Sequence, residues 1–294
     1  MKIYDCTTFY SERMMLDVRF NVLNKDVHKF IVVESSFSHS GVRKNFNFDI
    51  NDYPNFKEKI IYLKIDKEPI DLFKDPEKLK NSTYKRLNSI KRIEQSYDYM
   101  INGISEALDD DLIIISDNDE IPNLNSNKFK KSKKKFFIFK QLLFYYKFNL
   151  LHELMPWYGS KACKKKNLKS FSNLRNLKNK KYPFWRLDTY LSDIKQTNID
   201  IIDDGGWHFT NIKTPEDLFK KMKNFGHHNE FDESKLDTDD LKNKIDQGIV
   251  FYNHFADKAS TDKWNYNYKL KKVENEILPN YLIQNQNKLK KWFK

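Results

Sequence analysis

The chain has 294 residues, a formal net charge of +12, 39% hydrophobic residues and 15% aromatic residues. That length holds one large α/β domain or two small ones, and that hydrophobic share builds a real core. Two distant cysteines, Cys6 and Cys163, exclude a disulfide framework, and no apolar run is long enough to span a bilayer.

The basic balance suits phosphorylated substrates, anionic membrane surfaces or nucleic acid, with a solvated Lys-rich surface as the plain alternative. Zinc-finger spacings and RNA-recognition signatures are absent, so nucleic acid is not the expected partner. Met1-Lys2-Ile3 runs straight into a strand pattern, so no signal peptide is expected. The expected location is cytoplasmic, with room for peripheral contact with a membrane.

In chain order, Lys2 to Cys6 reads as a first strand, and Ser11 as the N-cap of a helix carrying Met14, Met15, Val18, Phe20 and Leu23. Phe30 to Val33 is a second buried strand ending at Glu34, Ser35 to Gly41 a polar loop, and Ile60 to Ile65 a third strand. Arg86 to Leu108 reads as a long helix. Strands and helices thus alternate over the first 120 or so residues, which predicts a mostly parallel sheet flanked by crossover helices.

Leu112 to Ile115 is the next strand, bounded by Asp109-Asp110-Asp111 and Pro122. A continuous aliphatic run of this kind is buried on both faces. Asp117, Asp119 and Glu120 sit at its carboxyl end, where open α/β sheets place their ligand sites. Asp-x-Asp there can hold Mg²⁺ or Mn²⁺ through hard oxygen ligands, and the ion can hold a diphosphate. A solvated acidic loop is the plain alternative.

Phe136 to Phe148 predicts strands with an aromatic face, and the Lys- and Asn-rich residues 161–182 predict a loop. Ile201-Ile202 followed by Asp203-Asp204-Gly205-Gly206-Trp207-His208-Phe209 reads as strand, tight turn and short strand. Thr214-Pro215-Glu216 is a helix start, and the tail from Leu241 is helical and charged.

Taken together, these segments resemble glycosyltransferase family 17. The resemblance rests on Lys2-Ile3-Tyr4-Asp5-Cys6-Thr7-Thr8-Phe9, Phe30-Ile31-Val32-Val33-Glu34 with His39-Ser40-Gly41, Ser116-Asp117-Asn118-Asp119-Glu120-Ile121-Pro122, Gly205-Gly206-Trp207-His208-Phe209 and His228-Asn229-Glu230-Phe231. Two departures stand out. The family tends to carry Gln-Arg-Asn where this chain has Ser96-Tyr97-Asp98, and its late Gly-x-Asp is here Gly248-Ile249-Val250.

The resemblance implies a GT-A type, Rossmann-like fold over residues 1–255, with a nucleotide-binding half (1–122) and an acceptor-side half (123–255). Residues 256–294 would form a C-terminal helical extension. It also implies an inverting, metal-dependent transfer from a UDP-sugar, with N-acetylglucosamine as the expected sugar. The acceptor would be a lipid-linked glycan, a polysaccharide or a glycoprotein.

Asp119 is then the first metal ligand, and Asp117 binds the metal through water or holds the ribose. His208 looks like the late histidine that completes the metal shell, unless it is a core residue beside Trp207. Thr7, Glu34, His39, Lys44, Arg186 and Trp207 are donor-side candidates. Loop or packing roles are the plain alternative for these. Inversion needs a general base near the acceptor oxygen. Glu230 matches the family's His-x-Glu, with Glu120 and Asp204 as rivals. Trp157 is the strongest candidate for sugar stacking in an aromatic group otherwise expected in the core. The rival from another class is a non-catalytic, decayed transferase fold that binds nucleic acid or an anionic surface through its basic face.

Overall fold

The computed structural model describes residues 1–224, 231, 234–253 and 266–294. Thirteen strands occur among them: β1 (Ile3–Thr8), β2 (Lys29–Ser35), β3 (Ile60–Ile65), β4 (Leu112–Ser116), β5 (Glu120–Pro122), β6 (Phe136–Tyr145), β7 (Leu150–Leu151), β8 (Trp157–Lys164), β9 (Ile199–Ile202), β10 (Gly206–Thr210), β11 (Ile249–Val250), β12 (Tyr268–Lys269) and β13 (Lys271–Lys272). The α-helices are α1 (Arg13–Leu23), α2 (Pro76–Leu79), α3 (Ser82–Asp98), α4 (Asn127–Lys131), α5 (Phe171–Arg175), α6 (Pro215–Asn224), α7 (Thr238–Gln247) and α8 (Asn280–Gln284).

The main sheet runs β13-β7-β6-β8-β4-β1-β2-β3, with β9 and β10 added to β6 and β5 added to β10. The α/β class expected from the sequence is the class observed. From β3 through β2 and β1 to β4 every pairing is parallel. Beyond β4 the sheet turns mixed, since β8 runs antiparallel to both β4 and β6. All five residues of β4 are buried, and alternation sends them to opposite faces: Leu112 and Ile114 enter one core, Ile113 and Ile115 another. The first core lies under α1, with Phe20, Phe30 and Phe56 at its centre; the second lies under Met100 and Ile104. A third core joins Leu143 and Tyr145 to α6 and α7.

Local structure departs from the sequence reading in four places. The long helix breaks after Asp98 into a 3-10 turn, Tyr99–Gly103, so it ends short of Leu108. The residue preceding α1 is Glu12, and Ser11 makes no side-chain cap. Residues 161–182, read as a loop, begin with the end of β8 and go on to contain α5. Surface lysines there mask a buried Ala162-Cys163 pair and the Phe171/Leu174 stripe. After α7 the tail gives the short strands β11 to β13 and the five-residue α8 rather than continuous helix. Leu278, Leu282 and Leu289 of that tail enter the first core, and Tyr281 bonds Asp17 of α1 at 3.0 Å.

Candidate functional site

The parallel strands β1, β2 and β4 end on one side of the sheet, and a cleft of about 470 Å³ opens there. Thr8, Val33, Asp117, Asn118, Asp119, His208 and Lys221 are among the residues that line it. The acidic turn after β4 forms its floor. β5 follows directly and pairs antiparallel with β10, placing His208 opposite Glu120. Gly206 makes that pairing close. Its φ is +105°, and a Cβ there would stand 2.3 Å from the carbonyl oxygen of Ile121.

Two arginines hold the turn. Arg19 of α1 is fully buried against Asp5, at 2.5 and 2.7 Å, and its remaining nitrogen donates to the carbonyls of Glu120 (2.5 Å) and Asp117 (3.2 Å). Arg175, at the end of α5, grips the side chains: it donates to Asp117 Oδ2 at 2.6 Å and to both oxygens of Glu120 at 2.7 and 2.8 Å. Tyr97 Oη donates to Asp117 Oδ1 at 2.9 Å, and Trp157 Nε1 donates to Glu120 Oε1 at 2.7 Å. Gly159 gives Glu120 its room, because a Cβ there would lie 2.8 Å from the Glu120 carboxyl carbon.

Burial opposes the charge on Glu120, but Arg175 overrides it and holds the carboxyl below its usual range. Burial pushes Asp117 up. Arg175 pulls against that rise, while Glu120 and Asp119 add to it. Asp119 lines the cleft beside Asp117. Burial opposes its charge too, yet His208 and Lys221 hold its carboxyl well below the usual range. His208 Nε2 lies 3.4 Å from Asp119 Oδ1, and Lys221 Nζ lies 3.8 Å from Oδ2. Beside them the Asn118 amide is buried, and neither its oxygen nor its nitrogen has a hydrogen-bond partner.

No group of three His, Cys, Asp or Glu that could hold a metal occurs among the described residues. The chain supplies a carboxylate and an imidazole at the cleft, while Asp117 is engaged by Arg175 and Tyr97. This donor set fits an Mg²⁺ or Mn²⁺ ion that takes its other ligands from substrate phosphates and water, as such ions do at diphosphate sites.

The other sequence candidates are placed as follows. His39 lines the cleft, and burial, with Arg92 adding to it, pushes its ring down to about 4. Glu34 is fully buried and pins the following loop. It accepts from the backbone of Asn47 (2.8 Å) and Phe48 (3.0 Å), from Tyr62 Oη (2.7 Å) and from Lys44. Lys44 also lies over the Tyr10 ring. Thr7 is buried within β1, and its hydroxyl donates to the Thr8 carbonyl at 3.4 Å. Trp207 points away from His208 and donates to the Ile277 carbonyl at 2.6 Å. Asp204 accepts from Ser126 Oγ at 2.5 Å in the β9–β10 turn. Arg186 is on the surface, paired with Asp188 at 2.7 Å. Glu230 lies outside the described residues.

Sequence reasoning missed Arg19, Arg175, Lys221 and Glu12. Glu12 lines the cleft and pairs with Lys213 at 3.1 Å. Tyr97 and Asp98 carried a signal without a role. They stand where the chain departs from the family pattern, and Asp98 fixes α5 through the Ser172 backbone (2.8 Å) and hydroxyl (2.9 Å).

The chain matches the family described as Glycosyltransferase family 17 over residues 1–293. No curated protein matches it. Among solved structures it is similar to the 2-C-methyl-D-erythritol 4-phosphate cytidylyltransferase (IspD) of Francisella tularensis, at 11% identity and a TM-score of 0.34, over 75% of this chain and 98% of that one. It is also similar to HddC from Yersinia pseudotuberculosis, solved in complex with GMP-PN, at 12% identity and a TM-score of 0.36, over 75% of this chain and 97% of that one.

Proposed function

The chain belongs to glycosyltransferase family 17, and we propose that it transfers N-acetylglucosamine from a UDP-sugar to a glycan hydroxyl, with inversion, using Mn²⁺ or Mg²⁺. The observation that carries this reading is the Asp119–His208 pair, 3.4 Å apart and open to the cleft at the carboxyl end of β4. A divalent ion held there would neutralise the diphosphate as it leaves.

The chain's own residues supply the rest. His208 and Lys221 hold the Asp119 carboxyl low, which favours the ionised form that a cation needs. Lys221 brings a second positive charge to the diphosphate side. Arg175 and Tyr97 fix the Asp117 carboxyl at the cleft wall, where it can accept from a ribose hydroxyl. His39 is neutral near pH 7 and offers the nucleoside a hydrogen bond without a charge. Glu230 remains our proposed base, taking the acceptor hydroxyl's proton as that oxygen attacks from the face opposite the diphosphate. Glu120 is a poor base, since both its oxygens are occupied by Arg175 and it is fully buried.

Calorimetric titration with UDP tests the donor side. UDP should bind in Mn²⁺, bind much more weakly in excess chelator, and lose the Mn²⁺ enhancement in Asp119→Asn. Equal binding in Mn²⁺ and chelator would remove the metal from the scheme, and no UDP binding in either would remove the donor.

A further inference from the structure

Five large apolar side chains stand in solvent within eight residues: Phe184 (74% exposed), Trp185 (69%), Leu187 (79%), Tyr190 (74%) and Leu191 (94%). Single exposed apolar residues are ordinary; a contiguous group of this kind marks an interaction surface. None of the five lines the catalytic cleft.

The segment is built rather than loose. Thr189 is buried and its hydroxyl donates to the Arg186 carbonyl at 2.6 Å, while Tyr190 Oη reaches the Phe184 carbonyl at 3.2 Å. Asp188 is clasped between Arg186 (2.7 Å) and Lys195 (2.8 Å). Carbonyls of Pro183, Phe184, Arg186 and Leu187 are thus met from within the segment while the apolar side chains are exposed.

The surroundings are basic. Lys178, Lys180 and Lys181 lead into the segment, and residues 128–135 contain six lysines and no acid. Asp200 brings these two stretches side by side, at 3.4 Å from Lys181 and 4.0 Å from Lys128. Lys135 lines one cavity together with Thr189 and Tyr190. The nearby acids Asp188 and Asp193 are already paired.

We propose that residues 182–191 and this lysine fringe form a docking surface for an anionic lipid bilayer. Trp and Tyr settle at the headgroup level, Phe and Leu enter the acyl boundary, and lysines meet the anionic headgroups. A second copy of the chain is a poor occupant, since two such fringes would repel each other. Nucleic acid would engage the lysines but leave Leu187 and Leu191 in water.

Co-sedimentation of the full chain with vesicles tests this. The chain should pellet with an equal mixture of phosphatidylcholine and phosphatidylglycerol but not with phosphatidylcholine alone, and added salt should weaken the binding. Phe184→Ser with Trp185→Ser should weaken it by about tenfold or more, given the apolar area withdrawn from the bilayer. Lys133→Glu with Lys134→Glu should weaken it as well. Circular dichroism and UDP binding should be unchanged in both variants, which separates this surface from the catalytic cleft. The proposal is overturned if the anionic vesicles leave the chain in solution, or if both variants pellet as the parent does. It is also overturned if sedimentation velocity shows a dimer that the Phe184/Trp185 variant abolishes.

Discussion

Arg175 and Arg19 decide what the acidic turn can do. Without them, three carboxylates in four residues would repel each other or take up protons. Arg175 neutralises Asp117 and Glu120 as a planar fork, while Asp119 pairs with His208 and Lys221 at the cleft. Replacing Arg175 with Gln strands the fully buried Glu120 carboxylate and leaves the part-exposed Asp117 to water, which costs on the order of 3 kcal/mol, the low end for a broken buried pair. Urea unfolding of Arg175→Gln should therefore shift by that amount, and Arg175→Lys should recover only part of it. The carboxylates themselves were legible as a cluster after a buried strand, and the family resemblance favoured a ligand site there over a solvated acidic loop. Arg175 was not. It sits in a Lys- and Asn-rich stretch where one more basic residue carries no signal, and its partners are 55 and 58 positions away.

Among the elements, α5 matters most, because its single turn carries Arg175. Lys161 of β8 fastens it, donating to the carbonyls of Arg175 (2.6 Å) and Leu177 (2.7 Å). Burial, with Arg175 adding to it, pushes the Lys161 amine down to about 7. A neutral amine still has two N–H bonds for two carbonyls. Lys161→Met would leave those carbonyls unpaired, a loss of about 1–3 kcal/mol. Hydrogen exchange over residues 171–178 should quicken in that variant. The pH dependence has a definite sign. The folded-state value is lowered, so between about 7 and the unfolded value near 10.4 the unfolded chain holds a proton that the fold does not. Stability from this residue therefore rises as pH goes from 7 to 9. Chemical denaturation at the two pH values should show that rise in the parent and its loss in Lys161→Met. Strands β2, β3 and β4 were legible from their short apolar runs. α5 was not, because one helical turn has too few residues to show a period.

For the whole molecule, the sheet carries the cleft and the C-terminal segment closes the first core. Burying Leu278, Leu282 and Leu289 contributes roughly 1.5–3 kcal/mol each. Their sum is comparable to the entire stability of a typical domain, about 5–15 kcal/mol. A chain ending at Glu276 should thus lose its cooperative thermal transition by circular dichroism, whereas a dispensable extension would leave it unchanged. The sequence could not reveal this docking, since the tail's partners on α1 and around Phe148 lie more than a hundred residues earlier.

On the proposed function, Asp119 and His208 make this cleft a metal-assisted nucleotide-sugar site. The most direct measurement is turnover of a UDP-sugar panel by the purified protein, in Mn²⁺ and in chelator, for the parent and for Asp119→Ala. Mn²⁺-dependent release of UDP from UDP-N-acetylglucosamine is expected, reduced about 100-fold or more in the variant, the scale of loss when a main source of electrostatic stabilisation is removed. Turnover that survives intact in Asp119→Ala, or a panel in which no sugar nucleotide is consumed, would contradict it.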